Sequence, residues 1–340
     1  MRENFRFLTS LFGAALVAAI PMAAAEGIAR WVTVRIVAQS YEAHNNPLKD
    51  RFWRQYTAPV DSAGGRHIIV ITNSQGHLSE ANPEQGYSSQ LERLLNEHDS
   101  KHAYHVTNWA LPGANATEMV ILAARAADIQ PDAILLVTFS NNFSEGHNHH
   151  PLSFARNDVE QLAYLPQVRR RISSWFLDRY NVSRPRGWLA AHTGLINLHD
   201  SLVFWLRDDR DLGERLFQSM QDRPAIPVQK VSDDGMRLMR EIRNVLQRGL
   251  PHTPVLVVSM PLSERKVLPE TWLYADSFFE EAQMVFNDKK QFTVVDAKQV
   301  VDSVFFYTAS HMRPEGHRLF AEWLLPYVLH LLNHGESNVF

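Results

Sequence analysis

The chain has 340 residues, 45% apolar and 21% charged, with a formal net charge of -3. That length buries a sizeable core, and that balance excludes an intrinsically disordered chain. The charge leaves no basic footprint for nucleic acid. The absence of cysteine excludes disulfides, a thiol nucleophile, cysteine-ligated zinc and a lipid-modified N-terminal cysteine.

In chain order the first feature is MRENFRFLTSLFGAALVAAIPMAAAEG. Arg2 and Arg6 precede an apolar run from Phe7 to Ala25, interrupted by Thr9, Ser10 and Pro21. A run of roughly 19 residues reaches across a bilayer. GIARWVTVRIV continues it as a basic, aromatic interfacial stretch, which makes residues 1–38 a signal-anchor. The triplet Ala23-Ala24-Ala25 before Glu26 also fits a cleaved secretory signal. A buried Ala-rich helix of a cytosolic protein is the plainest alternative. The first two readings place the rest of the chain on the extracytoplasmic, periplasmic side, membrane-anchored or secreted respectively. Residues 39–65, polar and punctuated by Pro and Gly, read as a connector.

From residue 66 to about 335, short apolar runs alternate with helical patterns. Strands are expected over residues 67–72, 104–109, 133–138, 254–259 and 292–295, and helices over 85–96, 116–127, 233–247 and 271–286. A last helix starts near Pro314, with Leu319, Phe320, Trp323, Leu324, Val328 and Leu331 at helical spacing. Buried strands alternating with helices predict a three-layer α/β/α sandwich, a parallel sheet covered on both faces. Residues from about 143 to 230 carry no strong strand and several amphipathic patterns, and read as a helical insertion rather than an independent domain. Its Trp175, Trp188, Phe204 and Trp205 either roof the crevice above the sheet or pack into the core.

Four polar segments fall at strand ends or before the last helix: Asn73-Ser74-Gln75-Gly76, Pro112-Gly113, Thr138 to Phe143, and His311 with the Pro314 helix start. Each alone has an ordinary reading as a cap or turn. Together they would share one crevice, because the carboxyl ends of parallel strands converge. They supply a hydroxyl, a backbone N–H beside a glycine, a carboxamide and an imidazole. Acyl transfer needs that set: a nucleophile, a base for its proton, and preorganised donors for the oxyanion.

Here the sequence resembles the SGNH (GDSL-like) hydrolases over residues from about 66 to 142 and 252 to 330, a resemblance that implies a flavodoxin-like, SGNH-type parallel sheet. Ser74, Gly113, Asn141 and His311 match the family's four blocks in order and context. The resemblance implies Ser74 as nucleophile, its own backbone N–H with Gly113 N–H and the Asn141 amide as the oxyanion hole, and His311 as general base and then acid. Three departures stand out. Thr72-Asn73-Ser74 replaces Gly-Asp-Ser, so Asn73 stands for an acid. Phe139-Ser140-Asn141-Asn142 keeps the Asn but loses the flanking Gly and Asp. Thr308 occupies the place of the Asp that orients the histidine. An orienting carboxylate fixes the ring tautomer and stabilises imidazolium, so three outcomes stay open. These are a Ser-His dyad using Thr308 or a backbone carbonyl, a carboxylate from elsewhere (Asp302 or Glu315 are nearest), or an inactive descendant.

Glu145 to His150 (EGHNHH) could hold a metal, but without ligand spacing on a defined element it reads as a polar loop. Arg169-Arg170-Arg171 reads as a solvated helix face before an anionic-lipid contact. The expected function is cleavage or transfer of an ester-linked acyl group through a Ser74 acyl-enzyme, with no cofactor or metal. The expected substrate is an acylated small molecule, envelope glycan or lipid. The membrane is a partner through residues 1–38, and nucleic acid is not one. The rival reading is a non-catalytic protein of the same fold, serving in envelope polysaccharide binding or assembly.

Overall fold

The computed structural model describes residues 23–25, 27–28, 65–76, 85–111, 114–145, 163, 166–179 and 225–336. Most of the expected membrane segment and all but the last residue of the connector lie outside them, as do Gly113, residues 146–150 and most of the insertion, including Trp188, Phe204 and Trp205. Among the described residues no helix is long and apolar enough to cross a membrane.

Five parallel strands form one sheet in the order β2-β1-β3-β4-β5: β1 (Arg66–Asn73), β2 (Tyr104–Leu111), β3 (Ala133–Thr138), β4 (Val255–Ser259) and β5 (Phe292–Asp296). Successive side chains of a strand point to opposite faces, and the two apolar clusters divide accordingly. Ile69, Ile71, Ile134, Leu136, Val255 and Val257 meet α2 (Ala116–Ile129), α5 (Asp233–Gly249) and α6 (Leu273–Val285) on one face. Ile68, Val70, Leu135, Val137, Leu256 and Val258 meet α1 (Tyr87–His98) and α7 (Pro314–Glu336) on the other. The layers are therefore α/β/α. Burial on both faces explains why the inner strands read as continuous apolar runs instead of alternating.

The strand and helix ends differ from expectation for local reasons. β2 continues past Trp109 to Leu111 because its parallel partner does, with Asn73 opposite Leu111. β4 begins after Pro254, which has no N–H to donate, although its carbonyl accepts from Ile134 N at 3.1 Å. A 3-10 turn, Pro269–Thr271, precedes α6 and delays its start to Leu273. The described parts of the insertion, α3 (Pro166–Arg169) and α4 (Ser174–Arg179), bury Val168, Ile172 and Phe176 in the first cluster. Arg171 is not on a solvated face. Its guanidinium reaches Asp128 of α2 with contacts of 3.1 and 2.9 Å.

Two helix starts pin the upper edge of the sheet. The side chain of Asn115 accepts from Glu118 N at 3.2 Å, while Glu118 accepts from Asn115 N at 3.0 Å, a reciprocal cap on α2. Ser232 caps α5 by accepting from Gly235 N at 3.0 Å, and its own N–H and hydroxyl both donate to Phe143 O at 3.1 Å. α5 thus sits directly on the turn that ends β3. A Cβ on Gly235 would lie 1.9 Å from that same carbonyl oxygen, so the contact needs a glycine. Gly235→Ala is expected to lower the unfolding free energy by ~1–3 kcal/mol, the usual effect of overpacking. Urea denaturation measures this, and a loss within error of zero would mean the contact is slack.

Candidate active site

Ser74 follows β1 directly. Asn73, buried, accepts from Gln75 N at 3.0 Å through Oδ1, an Asx turn that folds residues Ser74–Gly76 into one 3-10 turn. Asn108 of β2 donates to Gly76 O at 2.7 Å and ties the far end of that turn to the sheet. A Cβ on Gly76 would meet Thr72 Cγ2 at 2.1 Å, so the turn closes only with glycine there.

His311 comes from the opposite end of the chain, on the loop between β5 and α7. Phe306 and Met312 form an antiparallel bridge across the base of this loop. Tyr307 N donates to His311 O at 2.8 Å, and Arg313 N to Phe305 O at 2.7 Å. Ser263 N anchors the loop by donating to Ala309 O at 2.8 Å. The loop sets His311 Nε2 3.0 Å from Ser74 Oγ and His311 Nδ1 2.8 Å from Thr308 Oγ1. Both Ser74 and His311 are half-buried, while Thr308 is buried. The ring nitrogen away from serine therefore meets a hydroxyl. Of the two carboxylates nearest in sequence, exposed Asp302 caps residues Ser303–Phe305 by accepting from Val304 N at 2.9 Å, and Glu315 is exposed in the first turn of α7.

The β3 end supplies two adjacent carboxamides with separate tasks. Asn142, buried, gathers three donors on Oδ1: Asn73 Nδ2 at 3.1 Å, Thr138 Oγ1 at 2.9 Å and Phe139 N at 3.2 Å. Its Nδ2 donates to Ala114 O at 2.8 Å. One side chain thereby joins the ends of β1 and β3 to the loop after β2. The amide at Asn73 fits this junction, because Asn73 donates to Asn142 and a carboxylate has no hydrogen for that.

Asn141 is held by residues 225–231, which return from the insertion and run beside the site. Its Oδ1 accepts from Gln229 N at 2.7 Å, and its Nδ2 faces Pro227 O at 3.4 Å. An amide nitrogen carries two hydrogens, and the long contact to Pro227 uses one at most. Val228, Leu262, Val267, Ala275 and Ala309, packed with Phe139, bind this segment to the loops after β3, β4 and β5. The remaining expected oxyanion donor, Gly113, lies outside the described residues. Among the described residues no group of three or more His, Asp or Glu side chains could hold a metal ion.

Chemically, a half-exposed hydroxyl hydrogen-bonded to an imidazole, with fixed neutral dipoles around it, can exchange a proton with the ring and attack an electrophilic carbon. Sequence reasoning missed Asn108, Asn142 and residues 225–231. Asn108 had a signal, a polar residue near the end of an otherwise largely apolar strand. The other two depend on which distant groups meet them.

No family model matches the chain, and no curated protein does. Its structural neighbours are described as GDSL-like lipases, esterases and an acyltransferase. The chain is similar to a GDSL-like lipase from Bacteroides ovatus at 14% identity and a TM-score of 0.44, over 79% of this chain and 54% of that one. It is similar to an arylesterase from Agrobacterium tumefaciens at 8% identity and a TM-score of 0.41, over 78% and 99%. A salicylyl-acyltransferase from a tetracycline biosynthetic pathway aligns at 11% identity and a TM-score of 0.43, over 80% and 56%. The chain spans about half the length of the first and third of these. The sheet order and helix layers described above, not these likenesses, carry the assignment of the fold.

Replacing Asn142 with Asp tests the amide junction. The carboxylate cannot donate to Ala114 O, so Asn142→Asp is expected to lower stability by ~1–3 kcal/mol near neutral pH. Urea denaturation near pH 7 would read this loss, and a loss within error of zero contradicts the junction.

Proposed function

We propose that the protein is a serine-dependent acyl-transfer enzyme that cleaves or transfers an ester-linked acyl group through a covalent Ser74 intermediate. One observation carries this reading: His311 Nε2 lies 3.0 Å from Ser74 Oγ, and Nδ1 lies 2.8 Å from Thr308 Oγ1, at the carboxyl edge of a parallel sheet. That edge, beside the switch point between β1 and β3, is where open α/β sheets of this order bind ligands. The esterases and the acyltransferase among the structural neighbours agree with it.

In this mechanism Ser74 Oγ bonds to the acyl carbon while its proton passes to His311 Nε2. His311 then protonates the leaving alkoxide. Water or an acceptor alcohol resolves the acyl-enzyme, with His311 again taking the proton. The developing oxyanion is met by Ser74 N–H and Asn141 Nδ2, with Gly113 N–H the third donor that the family resemblance implies. The bonds to Gln229 and Pro227 orient the Asn141 amide without involving the reacting atoms. Acylated glycan or lipid of the cell envelope is the substrate class, given the apolar, positively headed segment at residues 1–38. The second reading, a non-catalytic envelope-binding protein, draws on Thr308 and Asn73 standing where acids are expected.

A fluorophosphonate probe separates the two. Labelling of the wild type that disappears in Ser74→Ala is expected. Folded wild type that resists the probe would favour the binding protein. Asn141→Ala is expected to reduce kcat for p-nitrophenyl acetate by about 100- to 1000-fold, as for other single oxyanion donors. A change of less than about threefold would remove Asn141 from that role.

A further inference from the structure

Thr308 stands in the place of a carboxylate, yet it offers His311 a different kind of partner. Among the described residues its Oγ1 has three polar neighbours: His311 Nδ1 at 2.8 Å, His311 N at 3.1 Å and Ser310 N at 3.4 Å. A hydroxyl has two lone pairs and one hydrogen. Both backbone groups can only donate: His311 N takes one lone pair, and the longer contact from Ser310 N faces the other. The hydrogen remains, and the acceptor it meets is Nδ1. The opposite arrangement, Nδ1–H donating to Oγ1, would put three donors on two lone pairs. It would also leave the hydrogen of this largely buried hydroxyl without an acceptor among the described residues, which folded proteins avoid.

A neutral imidazole carries one proton, and the bond made by one nitrogen fixes which nitrogen holds it. We propose that Thr308 is a positioning residue that holds resting His311 with Nδ1 bare and the proton on Nε2, so that the ring donates to Ser74 instead of accepting from it. A carboxylate would do the reverse, because it can only accept. This inference rests on the reading of Ser74 and His311 as the reacting pair and concerns how readily that pair fires.

Before Ser74 can give up its proton, the ring must lose its proton from Nε2 to solvent and gain one at Nδ1. Nδ1–H then needs Oγ1 as acceptor. A backbone N–H must yield its place and the hydroxyl hydrogen must turn away from the ring. Leaving one buried polar group unpaired lowers the productive population by about ten- to a hundredfold. The hydroxyl in this site is therefore held back at rest, and the restraint is a single side chain.

The direct test is a long-range proton–nitrogen spectrum of uniformly 15N-labelled wild-type protein, at a pH where the ring is neutral. The His311 signals are assigned by their loss in His311→Gln. The expected result is an unprotonated Nδ1 and a protonated Nε2. A protonated Nδ1 overturns the proposal, whatever the activity. Kinetics supply the second arm. Thr308→Asp is expected to raise kcat/KM for p-nitrophenyl acetate by about ten- to a hundredfold and to move the ring proton to Nδ1. Folded Thr308→Asp with unchanged or lower kcat/KM counts against it. Failure of Ser74 to label with fluorophosphonate would instead sink the enzymatic reading, leaving the ring proton to be read on its own terms.

Discussion

A hydrogen bond of 3.0 Å joins Ser74 Oγ to His311 Nε2 across 237 residues of chain, and every feature of the upper sheet edge bears on it. Parallel strands make such a meeting possible because their carboxyl ends all open on one side. Holding it within a few tenths of an ångström needs more than topology. On the serine side, the Asx turn of Asn73 and the Asn108 bond to Gly76 fix a three-residue turn that admits no side chain at Gly76. On the histidine side, the Phe306–Met312 bridge and the Ser263 bond to Ala309 fix the loop. Gly316, where a Cβ would meet Phe305 O at 2.9 Å, lets α7 start close beneath it.

The polar network described around this pair is neutral in kind. Carboxamides, hydroxyls and backbone groups do the positioning, with Asn142 at the junction of β1, β3 and the loop after β2. A pair of amides can donate and accept at once, so the junction is satisfied without burying charge. Thr308 likewise meets His311 Nδ1 with a hydroxyl.

Much of this architecture was legible in the chain. β3 was expected over residues 133–138 and lies there, because a short apolar run bounded by polar turn residues fits a strand buried on both faces. α2 was expected to start at residue 116 and does, where the structure shows it capped by Asn115 and Glu118. Ser74 and His311 could be picked out by residue type and context, Thr308 only through the family resemblance, and the structure places His311 within hydrogen-bonding distance of both. The partners of Asn141 and Asn142 were not readable. Gln229 lies 88 residues from Asn141, and Asn73 lies 69 residues from Asn142. No local pattern specifies such pairings. Element ends shifted for the same reason: Leu111 is a strand residue because Asn73 lies opposite it, not because of its own neighbours.

Whether this edge of the sheet performs covalent chemistry is most directly read by trapping the intermediate. The folded protein would be mixed briefly with p-nitrophenyl acetate, quenched in acid, digested and sequenced by mass spectrometry. The account predicts one acetyl group on the peptide that contains Ser74, attached at that hydroxyl. Acetyl groups found only on lysines or other exposed nucleophiles, with Ser74 unmodified in folded protein at every quench time, would contradict it.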